Sequence, residues 1–144
     1  MRIAMASDHG GFALKEGLKS YLTGEGHEIV DLGTDSEDST DYPIYGEKCA
    51  EYVVSGKAEK GIVLCGTGIG ISIAANKVKG ARCALCASEI LAELAANHND
   101  ANLIALGGRT TSLEDAVKYT KKWLATAFDG GERHVRRVKM LTEM

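Results

Sequence analysis

The chain has 144 residues, 44% hydrophobic and 26% charged, with a formal net charge of −3. That is the length of one domain, taken here as residues 1–144, and it can bury a core without disulfides or a structural metal. The mild acidity argues against a general affinity for nucleic acid, and no apolar run approaches the roughly 20 residues of a membrane span.

The opening "MRIAMASDHGG" has no apolar stretch of the kind a signal peptide needs. The expectation is a soluble, cytoplasmic protein whose four cysteines, Cys49, Cys65, Cys83 and Cys86, remain reduced. In chain order, "RIAMAS" reads as a strand, and "GFALKEGLKSYL" follows it with Leu14, Leu18, Tyr21 and Leu22 at helical spacing. "HEIVDLG" is a second strand. The polar loop "GTDSEDSTDYP", with the only proline, then leads to a helix in "YGEKCAEYVVSG". "KGIVLCG" is a third strand ending near Cys65, and "GIGISIAANKV" turns it into a helix.

"RCALCAS" reads as the fourth strand and holds Cys83 and Cys86 as a C-x-x-C pair. Residues three apart on a strand face opposite sides, so the pair suits neither a chelate nor a redox dithiol. The second C-x-x-C of a zinc ribbon is absent, and both thiols read as small core side chains. "SEILAELAANH" sets Ile90, Leu91, Leu94 and Ala95 on one helical stripe, and "ANLIALGG" is the fifth strand. In "SLEDAVKYTKKWLATAF", Ser112 can cap with Asp115 three residues on. There Leu113, Ala116, Val117, Thr120, Leu124, Ala127 and Phe128 recur on one face. After Gly130-Gly131, "ERHVRRVKMLTEM" is a terminal helix.

The strands are continuous apolar runs, as befits strands covered on both faces. Alternated with helices, they predict a parallel sheet between helix layers. The expected fold is a three-layer α/β/α sandwich with a five-stranded parallel, Rossmann-like sheet and a C-terminal helix. Such sheets bind ligands beyond the carboxyl ends of their strands. Asp8 and His9 follow the first strand, Cys65 ends the third, and Gly107, Gly108 and Arg109 follow the fifth.

"CGTGIGISIAANK" carries the sharpest chemical signal. A strand–glycine loop–helix passage leaves backbone N–H groups free to hold an anion. Gly66, Gly68 and Gly70 miss the G-x-G-x-x-G dinucleotide fingerprint by one position, and the P-loop pattern is absent. Taken alone, the loop could be no more than a tight turn. Cys65 beside it adds a thiol at a helix start, where thiolate is favoured, fit to act as nucleophile or base; a buried strand-end cysteine is the plain alternative. A Cys-dependent phosphatase would need arginine where Ile71 stands, and a receiver domain would need aspartate in place of Cys65. A thiol hydrolase pairing Cys65 with His98 stays open.

Arg133 and Arg137, at i and i+4 on the last helix beside His134, could clamp a phosphate or form an ordinary solvated face. Arg109, at a strand's carboxyl end, is better placed for a ligand. His98 in "ANHND" is either a packed helix-end histidine or a proton donor of the kind a helix C-terminus favours. Asp8 could be no more than an N-cap for the helix near Gly11.

Together, "SDHGGF", "DLGT", "TDYP", "CGTGIGISIAANK", "NHNDANLIALGGR" and "RHVRRV" resemble ribose-5-phosphate isomerase type B, in the ribose/galactose isomerase family, over nearly the whole chain. The resemblance implies an aldose–ketose isomerase that interconverts ribose 5-phosphate and ribulose 5-phosphate through an enediolate, with no metal or cofactor. It implies that Cys65 is the proton-shuttling base, that Thr67 assists at the sugar oxygens and that His98 opens the furanose ring. Asp8, His9 and Asn99 would contact the substrate, and the N–H groups of Gly66, Thr67, Gly68, Ile69 and Gly70 would hold the developing oxyanion. Arg109, Arg133 and Arg137 match phosphate binding, although Glu132 intervenes between the glycines and Arg133. Some relatives use a glutamate further into the helix; Asn76 and Lys77 are not acidic here, and Cys65 is present.

The family site is shared between two chains. The resemblance therefore implies a homodimer and allows a tetramer, with a phosphorylated pentose as substrate and neither nucleic acid nor membrane as partner. Two rivals remain: a galactose or allose 6-phosphate isomerase, and a sugar-phosphate or nucleotide sensor without catalysis.

Overall fold

The computed structural model describes residues 1–144. Five strands, β1 (Arg2–Ser7), β2 (Glu28–Asp31), β3 (Lys60–Cys65), β4 (Cys83–Leu85) and β5 (Leu103–Gly107), pair in parallel in the order β2-β1-β3-β5-β4. Six helices accompany them: α1 (Phe12–Gly24), α2 (Tyr42–Val54), α3 (Ile69–Asn76), α4 (Glu89–Asn99), α5 (Leu113–Ala125) and α6 (Glu132–Glu143). This is the three-layer sandwich that the strand–helix alternation predicts.

The central strands β1, β3 and β5 are almost wholly buried because each face meets its own helix layer. On one face Ile3, Met5, Ile62, Leu64, Ile104 and Leu106 pack with Leu18 and Leu22 of α1, Ala92 and Ala95 of α4 and Trp123 of α5. On the other, Ala4, Ala6, Val63 and Ala105 meet Cys49, Ala50 and Val53 of α2 and Ile71 and Ala75 of α3. The two faces separate because alternate strand residues point to opposite sides.

Cys83 falls in the second cluster and Cys86 in the first, so the C-x-x-C pair straddles the sheet. Burial pushes the thiols of Cys49 and Cys86 up to about 12, and that of Cys83 well above its ordinary value. All four cysteines are free and buried.

Local signals account for most boundaries. Ser112 and Ser88 cap α5 and α4 by accepting the amides of Asp115 and Leu91, and Pro43 stands in the first turn of α2. Three details depart from the sequence-based expectation. The fourth strand is only Cys83–Leu85, with Cys86 already beyond it. The buried face of α4 is Ala92, Ala95 and Ala96, while Ile90 and Leu91 are 57% and 47% exposed. Small side chains let α4 lie close to the sheet, which turns the larger ones outward. In α5 the fully buried anchor is Trp123, whose indole N–H donates to Ala101 O at 3.0 Å. Ala127 and Phe128 lie past its last turn, and Leu113 is exposed.

Candidate active site

The strand order reverses between β1 and β3: β1 leads to β2 on one side, whereas β3 lies on the other. A crevice at the carboxyl ends of two such strands is where open α/β sheets bind ligands. Here it lies between the loop after β1, with Asp8 and His9, and the loop after β3, with Cys65 to Gly70. The β5 loop forms the third wall. Gly108 N donates to Cys65 O at 2.8 Å, and Arg109 N to Gly66 O at 2.9 Å.

These loops approach one another too closely for side chains. A Cβ on Gly10 would stand 3.0 Å from Gly66 N, and one on Gly108 would collide with Gly10 O. Gly68 has a left-handed φ of 79° at the N-cap of α3, a conformation that favours glycine. A Cβ there would also stand 2.8 Å from Leu85 Cδ1. The glycines of the motif thus serve close packing.

Cys65 is 4% exposed at the floor of this crevice, and its Sγ accepts the amide of Gly68 at 3.2 Å. An N–H aimed at sulfur steadies negative charge there. Thr67, exposed at the loop crest, uses its Oγ1 to accept the amide of Ile69 at 3.2 Å. Asp8 is buried and its Oδ1 accepts Gly11 N at 3.1 Å, so it braces the turn ahead of α1 although Gly11 is the N-cap. His9 Nδ1 accepts the amide of Thr40 at 3.1 Å. The Arg109 side chain is exposed and lies over Gly66, its Nη1 3.1 Å from where a Cβ would stand.

Two neighbours carry no separate signal in the sequence. The ring of Tyr42, at the start of α2, rests on Gly70 so closely that a Cβ there would be 2.6 Å from it. "TDYP" marks the segment without showing this contact. Thr40 contributes through its backbone, which no side-chain pattern reveals.

The structure does not bring the remaining candidates to this crevice. Helix α4 starts beyond the carboxyl end of β4 and runs back, so His98 and Asn99 in its last turn lie at the amino end of the sheet. Arg82, just before β4, donates to Asn99 O at 3.2 Å, and Gly61 N, at the start of β3, bonds Asn102 O. Helix α6 lies at this same end. His134 is buried against His98, and Arg82 Nη1 donates to Thr142 Oγ1 at 2.9 Å. Arg133 and Arg137 on α6 are exposed. Asn99 and Arg82 also border a cleft of about 580 Å³ between the loop before β4 and the end of α6.

The length of β3, roughly 17 Å at the usual rise per residue, therefore separates Cys65 from the end that carries His98. A Cys65–His98 dyad within one chain is excluded. Each chain thus presents Cys65, its glycine loop, Asp8, His9 and Arg109 at one end of the sheet and His98, Asn99, Arg133 and Arg137 at the other. No group of three or more His, Cys, Asp or Glu side chains is arranged to hold a metal ion.

Comparison with known proteins shows the family. The ribose/galactose isomerase family model matches residues 3–141. Ribose-5-phosphate isomerase B of Escherichia coli is 43% identical over 141 residues, covering 98% of this chain and 94% of that protein. The solved structure of ribose-5-phosphate isomerase B from Clostridium thermocellum superposes with a TM-score of 0.96 at 47% identity, covering 99% of this chain and 95% of that one. Its counterpart from Thermotoga maritima gives 0.96 at 49% identity, with 99% and 98% coverage. The chain is an enzyme of the isomerase class and belongs to the ribose/galactose isomerase family. Within that family it stands with the type B ribose-5-phosphate isomerases.

Proposed function

We propose that this enzyme interconverts ribose 5-phosphate and ribulose 5-phosphate through an enediolate, in a site assembled from two copies of the chain. The observation that carries this reading is the pairing of a thiol with oriented amides: Cys65 Sγ at 3.2 Å from Gly68 N, at the mouth of a glycine loop. The proton beside a carbonyl is weakly acidic, and its removal leaves charge on oxygen. A base is therefore useful only next to donors already aimed at that oxygen, each worth about 3 kcal/mol in comparable sites.

In the open-chain aldose, Cys65 as thiolate takes the C2 proton. The C–H electron pair forms the C1=C2 bond, and charge moves to O1, where the amides of the Gly66 to Gly70 loop not already turned to Cys65 Sγ or Thr67 Oγ1 receive it. The C2 hydroxyl proton passes to O1, the thiol returns the first proton to C1, and the C2 oxygen becomes the ketone. Thr67, Asp8 and His9 line the same crevice and orient the sugar oxygens.

Before this, the furanose must open. That proton comes from His98 of a second copy, whose Asn99 contacts the sugar and whose Arg133 and Arg137 join Arg109 in holding the phosphate. Binding energy at the phosphate then sets C2 over the sulfur. A homodimer supplies this arrangement, and pairing of dimers into a tetramer is compatible with it. Supporting it, Ile69 and Ile73 of α3, Leu85 of β4 and Ile90 and Leu91 of α4 all stand exposed around the edge strand β4. Scattered apolar side chains need no partner, but a cluster of this kind at a sheet edge does. No helix is long and apolar enough to cross a membrane, and four free thiols suit the reducing cytoplasm, where pentose phosphate metabolism would use the reaction.

Proton NMR of ribose 5-phosphate in D₂O tests this reading. Ketose formation with deuterium entering at carbon is expected for the wild type and absent for Cys65→Ala. Equal rates in both proteins would remove Cys65 as the base. Activity only on allose or galactose 6-phosphate would change the substrate, and binding without carbon exchange would point to a sensor.

A further inference from the structure

His9 is gripped from a distant part of the chain. The amide of Thr40 donates to its Nδ1 at 3.1 Å across 31 residues of sequence. Only a ring nitrogen with a free lone pair can accept that N–H; turned over, the ring would face it with a carbon. A neutral imidazole carries one proton, so an accepting Nδ1 places it on Nε2.

The strap that supplies the amide, residues 34–41, joins β2 to α2 and is held at both ends. Thr34 is buried, and its amide donates to Ser7 O at 2.7 Å while Ser7 N donates to Gly33 O at 2.8 Å. Thr40 Oγ1 donates to the Tyr45 hydroxyl at 3.4 Å, and the Tyr45 ring packs against Gly33. The strap is thereby tied to the residue that precedes Asp8, and the Thr40 amide has little freedom to leave the ring.

We infer that Thr40 is a positioning residue whose backbone N–H locks His9 in the Nε2–H tautomer, so that the free edge of the ring donates a hydrogen bond to an acceptor oxygen of the sugar phosphate. His9 then serves as a fixed neutral donor and not as a base. Only the identity of the ligand rests on the isomerase reading; the tautomer belongs to the free protein.

Long-range proton–nitrogen correlation NMR on protein labelled with ¹⁵N-histidine reads the tautomer directly, with His9 assigned by the signal lost in His9→Gln. At neutral pH the wild type and Thr40→Ala, which keeps the amide, should both show a ring protonated at Nε2 alone. Thr40→Pro, which has no amide proton, should show a mixture of tautomers and a KM for ribose 5-phosphate about fivefold above that of Thr40→Ala, the loss of about one neutral hydrogen bond. A wild-type ring protonated at Nδ1, or a Thr40→Pro spectrum identical to the wild type, overturns the inference. A wild-type ring protonated at Nδ1 overturns the inference even if Thr40→Pro fails to fold. Lack of turnover with an intact Nε2–H signal would count against the isomerase reading alone.

Discussion

The ring of His98, in the last turn of α4, lies flat on that of His134 in the first turn of α6, with centroids 4.5 Å apart and planes 14° from parallel. His134 Nε2 in turn stands 3.5 Å from Asp129 Oδ2, in the link between α5 and α6, and Asp129 N donates to Asn97 O at 2.9 Å. The stack therefore sets α6 on α4. It holds the arginine pair of one helix in register with the candidate proton donor of the other.

Removing that stack should loosen phosphate binding more than chemistry. An aromatic pair contributes about 1 kcal/mol beyond its area, so His134→Ala is expected to raise KM for ribose 5-phosphate about fivefold with a smaller fall in kcat. His134→Phe keeps the stack and should recover most of the loss. Steady-state kinetics on both variants checks this, and equal damage from each would mean that the stack is not the cause.

The thiols should differ sharply in reactivity. Burial raises those of Cys49, Cys83 and Cys86, which leaves them protonated at pH 8, whereas Cys65 opens to the crevice beside an amide donor. Brief treatment with iodoacetamide should add one label, at Cys65 by mass spectrometry, and ribose 5-phosphate should slow it. Labelling spread over several cysteines would contradict this account of the core thiols.

An ion pair between a buried lysine and a partly exposed aspartate anchors the loop after β2. Lys15, fully buried on α1, donates to Asp31 Oδ1 at 2.7 Å and Oδ2 at 2.8 Å; Lys19 and Gly33 N donate to the same carboxylate. Burial pushes the Asp31 carboxyl up, but those hydrogen bonds outweigh it and hold the group below its ordinary value. A lowered folded value means that the unfolded chain binds the proton more tightly. The stabilisation is thus complete above about pH 4 and lost as pH falls through the lower folded value. Asp31→Asn, which leaves the Lys15 ammonium only the Glu16 carboxylate at 3.2 Å, should cost about 1 kcal/mol at neutral pH, and urea titrations should show the difference shrinking in acid. A constant difference from pH 7 to pH 2 would assign the effect to packing.

The strands, the helix order and the crevice at the carboxyl ends were legible because buried parallel strands are continuous apolar runs and glycine loops punctuate them. The face of α4 was not. Ile90 and Leu91 carry the hydrophobicity that a periodicity search weighs, yet alanines make the contact with the sheet. Trp123 escaped the α5 stripe although its indole is the fully buried anchor of that helix. Nor could spacing show at which end of the sheet a helix-borne residue stands. Cys65 and His98 look like partners in sequence and become remote once α4 runs back along the sheet. The grip of Thr40 on His9 is a backbone contact and leaves no trace in residue type.

Mixing two inactive variants tests the shared site most directly. Cys65→Ala and His98→Ala should each be inactive as homodimers. After subunit exchange at equal amounts, half of the dimers are mixed, and one of their two sites regains both groups; about a quarter of wild-type activity should return. No recovery under confirmed exchange would contradict a site drawn from opposite ends of two chains.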